Sequence, residues 1–113
     1  MKLEVTMPYI GGVLSKNSYK LPTRGTKPVV KRWMKDLADK IQELDIPRSS
    51  SYRIGIRGHF SDERRPDIQN LFEVVSDTVQ MGLGVNDKYF TLVDNGYETG
   101  YLEPKLVITI ENG

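Results

Sequence analysis

The chain has no cysteine, and that absence removes whole classes of function. Without thiols there is no disulfide framework, no thiolate zinc ribbon and no cysteine nucleophile. Histidine occurs once, at His59, with no acid or nucleophile at a telling spacing beside it. Its expected role is a structural hydrogen bond at a strand end rather than proton transfer. No apolar run is long enough to cross a bilayer, and the opening MKLEVTMPYI alternates like a strand instead of reading as a signal peptide. A cytoplasmic protein with no membrane partner is the expectation. Internal repeats and low-complexity tracts are absent as well.

What is present suits one globular domain spanning residues 1–113, since 38% hydrophobic and 27% charged residues allow a modest core and a solvated surface. The net charge of +1 hides an asymmetry. Residues 1–57 hold twelve Lys and Arg against five Asp and Glu, a balance of +7, whereas residues 58–113 hold four against ten, a balance of −6. A basic half suits a polyanion, and an acidic half suits metal ions or the basic face of a second copy. Mutual neutralisation within one fold is the plainer reading of the same numbers.

Periodicity places the elements. Leu3, Val5 and Met7 alternate with polar residues, as in a half-buried strand. A long polar loop from Pro8 to Lys27 carries Lys16, Asn17, Tyr19, Lys20 and Arg24, a basic set with one aromatic ring, suited to a phosphate backbone with accessible bases. Thr26 and Pro28 open a helix as N-cap and first residue. Val30, Trp33, Met34, Leu37, Ala38, Ile41 and Leu44 form its buried stripe, and Pro47 stops it. Lys27, Lys31, Arg32 and Lys35 crowd its first half, against the positive end of the helix dipole, where an external anion would be welcome, although a solvated helix face is the plainer reading. A second strand follows at Tyr52–Gly58. A second helix runs from about Asp67 to Met81 with Ile68, Leu71, Phe72, Val75 and Val79 inward, and Gly82 and Gly84 break it. Strands near Tyr89–Val93 and Lys105–Ile110 close the chain, with Asp94-Asn95-Gly96 as a turn. The order β-α-β-α-β-β predicts an α+β fold, two helices packed on a small mixed sheet.

The segment SDERRPDIQNLFEVVSDTVQMGLGVND holds the chemistry. Asp67 stands behind Arg64-Arg65 at the mouth of the second helix, and Asp87 follows in the turn after it. Two carboxylates brought together across one helix, with arginines alongside, suit a divalent metal and a phosphate. The position two residues after Asp67, where a third carboxylate would complete a cage, is Gln69. The same residues have plain structural readings: Asp67 as an N-cap completed by Asn70, Asp87 as turn chemistry, Gln69 and Glu73 as a solvated face.

The pattern D-x-x-N-L…D…G…N-D, with the order of elements, resembles the RusA-type Holliday junction resolvases, small endodeoxyribonucleases often carried by prophages. Met7-Pro8 followed by Asn17 and Tyr19 resembles that family's first segment, and Lys31-Arg32-Trp33 sits in the equivalent of its first helix. The arginine-rich run into Asp67, Asn70 and Leu71, the acid at Asp77, Asn86-Asp87 and the closing LVITIEN extend the similarity over most of the chain. The resemblance implies a homodimer that binds four-way DNA junctions in recombination and repair and cuts them with magnesium, manganese being able to substitute. It implies metal ligands at Asp67 and Asp87. Two positions depart: the family's second aspartate is Gln69, and its lysine is Glu73.

An amide in place of a carboxylate keeps an oxygen donor and removes a unit of charge, so a hard cation binds more weakly. Glu73, one turn beyond Gln69, would restore the charge in a shifted cage of Asp67, Glu73 and Asp87, with Gln69 as a neutral ligand. Lys88, Arg64 or Arg65 would then supply the positive charge of the missing lysine. Two functions follow. One is a magnesium-dependent, structure-selective endonuclease with Asp67, Asp87 and Glu73 as its catalytic acids. Its DNA would be held by Lys16, Asn17, Lys20, Arg24, Lys31, Arg32, Arg64, Arg65, Asn70 and Lys88, and Tyr19 would stack on an unpaired base. The other is a degenerate relative that binds junctions or a phage partner without cutting.

Overall fold

The computed structural model describes residues 2–21 and 25–112. Arg24, one of the expected phosphate contacts, lies outside them. A four-stranded sheet is built from β1 (Lys2–Pro8), β4 (Tyr52–His59), β5 (Phe90–Glu98) and β6 (Lys105–Asn112), in the spatial order β1-β6-β4-β5. β6 runs antiparallel to both neighbours, and β5 runs parallel to β4 along the edge, so the sheet is mixed. A small antiparallel ribbon, β2 (Lys20–Leu21) with β3 (Gly25–Thr26), is added within the long first loop. The expected α+β class holds, with two helices, α1 (Pro28–Glu43) and α2 (Phe72–Leu83), against that sheet.

The stripe read for α1 is the one the fold buries: Val30, Trp33, Met34, Leu37, Ala38 and Ile41. They meet Val5 and Met7 of β1, Ile54 and Ile56 of β4, and Leu106, Ile108 and Ile110 of β6 in one core. The Trp33 indole N–H donates to the Pro8 carbonyl at 2.7 Å, which pins α1 to the end of β1. Pro28 is the first helical residue as expected, but Lys27 is the N-cap and offers no side-chain hydrogen bond, while Thr26 belongs to β3. The helix ends before Pro47 is reached, because Asp45 takes a left-handed conformation at φ 51°.

Three further readings are corrected. The second helix starts as a 3-10 turn, Ile68–Leu71, before α2 proper, and it buries Val74 and Thr78 as well as Val75 and Val79. Gly84, left-handed at φ 70°, ends it; Gly82 lies inside it. Asp94-Asn95-Gly96 is not a turn between strands. β5 runs through it to Glu98, with a bulge that sets Asp94 beside Ile56 and Tyr97 beside Gly58. A bulge inserts one residue into a strand and re-aims the side chains around it, and the same polar, glycine-bearing triplet serves a turn or a bulge equally well. Among the described residues, no helix is long and apolar enough to cross a membrane.

Candidate nucleic-acid interface

The loop between β4 and the 3-10 turn is clipped to the end of β5 by backbone hydrogen bonds. Phe60 N–H donates to Glu98 O, Gly100 N–H to Ser61 O, and Tyr101 N–H to Phe60 O. His59, at the end of β4, meets the Tyr101 ring edge-on at 4.7 Å, and its Nδ1 finds no hydrogen-bond partner among the described residues. Next in the loop, Asp62 accepts both the Arg64 backbone N–H and the Arg64 guanidinium. The hydrogen bond from the Arg64 side chain is the main reason its carboxyl is held below the ordinary range. Arg64 itself is 91% exposed.

Arg65 behaves differently. Its guanidinium lies over the Tyr97 ring at 3.7 Å and reaches Asp67 Oδ1 at 3.4 Å, while its Nε is a buried atom with no hydrogen-bond partner among the described residues. Tyr97 in turn donates its hydroxyl to Glu63 at 3.3 Å.

Asp67 occupies the N-cap position of the 3-10 turn, yet its side chain makes no capping bond and is 80% exposed. The Asn70 backbone N–H goes to the Asp67 carbonyl, and the Asn70 carbonyl accepts from Lys16 N–H, so Asn70 fastens the first loop and completes no side-chain cap. Asp67 and Gln69 open onto a cleft of about 420 Å³ that also contains Arg65, Ile68, Asp94 and Tyr97. Asp94 was not foreseen as a site residue, because its place depends on β5 continuing through the bulge. Its Oδ1 accepts the Gly96 N–H at 2.8 Å.

Glu73 and Asp87 are not brought to this cleft. Glu73 Oε1 lies 3.8 Å from Lys20 Nζ, which also stands 3.9 Å from Asp77. Asp87 begins the 3-10 turn Asp87–Tyr89 beyond the far end of α2, next to the Asn86 cap that accepts Lys88 N–H. A helix the length of α2 spans about 18 Å, so Asp67 and Asp87 sit at opposite ends of it. Among the described residues no group of three or more His, Asp or Glu side chains is placed to hold a metal ion. The shifted cage of Asp67, Glu73 and Asp87 is therefore not assembled within the chain. What the cleft offers a hard cation is two carboxylates and the Gln69 amide, with Arg65 already drawing on Asp67. That donor set does not match the three-carboxylate cage implied by the resemblance.

Tyr19 also departs from expectation. Its side chain is fully buried, and its hydroxyl donates to Asp77 Oδ2 at 2.6 Å. Burial, then the hydrogen bond to Asp77, pushes the phenol pKa well up, so it stays neutral throughout the working range. A ring with no exposed face cannot stack on a base. It anchors the first loop to α2, which the sequence, showing only an aromatic in a polar stretch, does not reveal. Tyr19→Phe is expected to cost about 1.5 kcal/mol, at the low end for a bond to a charged partner because water reaches Asp77. Urea denaturation measures it, and DNA affinity should be unchanged.

Lys16, Asn17, Lys20, Lys31, Arg32 and Lys88 are exposed. Lys35 is exposed and paired with Asp39 at 2.8 Å, and Lys88 lies 5.1 Å from the Tyr89 ring centre. Lys31 and Arg32 form no ion pair among the described residues, and α1 carries no acid in its first turn. No protein-family model matches the chain, and no curated protein matches it at significant similarity.

Proposed function

We propose that this chain is a branched-DNA-binding protein of the RusA type, acting on four-way junctions as a homodimer, with a catalytic centre that is incomplete. The observation that carries the reading is the cationic face on the first half of α1, where Lys31 and Arg32 form no ion pair among the described residues. Lys31 and Arg32 stand exposed just past the first turn of the helix, a turn that carries no acid, and Lys35 follows one turn on, paired with Asp39. Such an arrangement costs stability in isolation and is offset by an external polyanion. Arg64 and Lys16 extend the exposed positive surface on neighbouring loops. Phosphate contacts of this kind position DNA without reading its sequence, as recognition of a junction by shape requires.

A second reading, a magnesium-dependent endodeoxyribonuclease resolving Holliday junctions, is favoured by the cleft in which Asp67, Gln69 and Asp94 stand beside Arg65. Gln69→Asp adds a third carboxylate there. Metal-dependent nicking of a synthetic four-way junction is expected to appear, or to rise at least about tenfold, with a third hard oxygen ligand carrying charge. Gels run with magnesium and with manganese measure it. No nicking by either protein in either metal leaves binding as the function.

A further inference from the structure

Arg65 forms a wall shared by two cavities. One is the cleft of Asp67, Gln69 and Asp94. The other, about 330 Å³, has an apolar side made by Tyr9, Phe60 and Pro104. Its polar side is Ser61, Asp62 and the Arg64-Arg65 pair. Its walls come from separate chain segments held in register by the backbone. Tyr9 N–H donates to Pro104 O at 3.0 Å, Phe60 N–H to Glu98 O at 2.8 Å, and Gly100 N–H to Ser61 O at 3.0 Å. The Tyr9 and Phe60 rings meet edge to face at 5.1 Å and 81°, which fixes both. The cavity is thus formed in advance, at the small end of ligand-sized clefts (roughly 300–1,000 Å³).

Its chemistry is two-sided. Phe60 is itself buried and backs the wall, so the surface offered to the flat face of a base is that of Tyr9 and Pro104. The arginines suit a phosphate, since a guanidinium meets phosphate oxygens with paired donors. Arg64, 91% exposed, can turn from Asp62 to such an oxygen, while Arg65 is held over the Tyr97 ring at 3.7 Å. We propose that this cavity takes one unpaired nucleobase of a branched DNA, with the adjoining phosphate held by Arg64 beside the wall that Arg65 forms between the two cavities. The inference rests on the DNA-binding reading and supplies the base platform that the buried Tyr19 cannot. Asp62 faces the same cavity as an acceptor, so a base carrying an exocyclic amine is preferred over thymine.

The test is an NMR titration of the isotope-labelled chain with dAMP and, separately, dTMP, following the Tyr9 ring and the Arg64 Nε–H. Saturable shifts at both sites are expected, with dAMP the tighter ligand. Ser61→Leu, which crowds the cavity from an exposed position, should weaken dAMP about tenfold, the scale of one stacked base. Absence of saturable shifts in the unaltered chain overturns the proposal whether or not the variant folds. An undiminished response in a Ser61→Leu chain that melts cooperatively also overturns it. Four-way-junction binding is measured on the same preparation. Shifts without junction binding uphold the cavity and remove the DNA reading, and junction binding without shifts does the reverse.

Discussion

Replacing Lys31, Arg32 and Lys35 together by glutamine is expected to weaken four-way-junction binding about a hundredfold near 0.15 M salt. Each phosphate contact releases condensed counterions with a slope of about −0.9 in log affinity against log salt. At 0.15 M, one such contact is therefore worth roughly five- to sixfold, and three compound to somewhat over a hundred. The slope itself should fall in magnitude by about three. Among the described residues Lys31 and Arg32 have no competing ion pair, so their full effect should appear; Lys35 must leave Asp39 and should contribute the least of the three. The fold should be untouched, because all three side chains are exposed. A triple variant whose affinity and slope match the unaltered chain would move the interface away from α1, towards Arg64 and the first loop.

The second large effect concerns stability, at Gly82. A β-carbon there would lie 2.8 Å from Ile41 Cβ and Cγ2 and 3.2 Å from the Ala38 carbonyl oxygen. The glycine lies close against α1, and the atoms met belong to a β-branched side chain and the backbone, which cannot swing aside. If Gly82 served only to break the helix, Gly82→Ala would stabilise by about 1 kcal/mol through helix propensity. The close approach predicts the opposite sign. Overpacking of this kind costs about 1–3 kcal/mol, so Gly82→Ala should be destabilising and Gly82→Val should lose about 3 kcal/mol. Gly84→Ala is the comparison. Its left-handed φ of 70° costs a side chain about 1–2 kcal/mol, with no atom within 4 Å to clash. Urea midpoints for the three variants separate these contributions.

Gly82 also shows how far the sequence could be read. Both helices were legible because each buries a stripe at three- and four-residue steps, and the α1 stripe matched residue for residue apart from Leu44 at its end. β1, β4 and β6 were legible from alternation. The features that escaped depend on contacts between distant segments. A glycine near a helix end reads as a stop until the neighbouring helix is seen against it. Asp94-Asn95-Gly96 reads as a turn until the strand beside it shows a bulge. Tyr19 reads as a loop aromatic until its hydroxyl is found on Asp77, fifty-eight residues away.

The candidate site divides along the same line. Arg64, Arg65, Asp67 and Gln69 are near neighbours in sequence and stay together in space. Asp87 was joined to them across a helix whose length alone, about 18 Å for twelve residues, argues against a shared ion. Glu73 was placed on the Gln69 face by helical spacing, but the turn between them is partly 3-10, and Lys20 from the first loop draws it away. The acid that shares a cleft with Asp67 and Gln69 is Asp94.

The most direct test of the central proposal is the affinity of the unaltered chain for a synthetic four-way junction, measured from about 50 to 200 mM salt, the range over which phosphate contacts are most visible. Tight binding at the low end that falls steeply and linearly on log axes is the predicted result, with the junction preferred over a duplex of equal length. No binding at 50 mM salt, or binding that salt leaves unchanged, would contradict it.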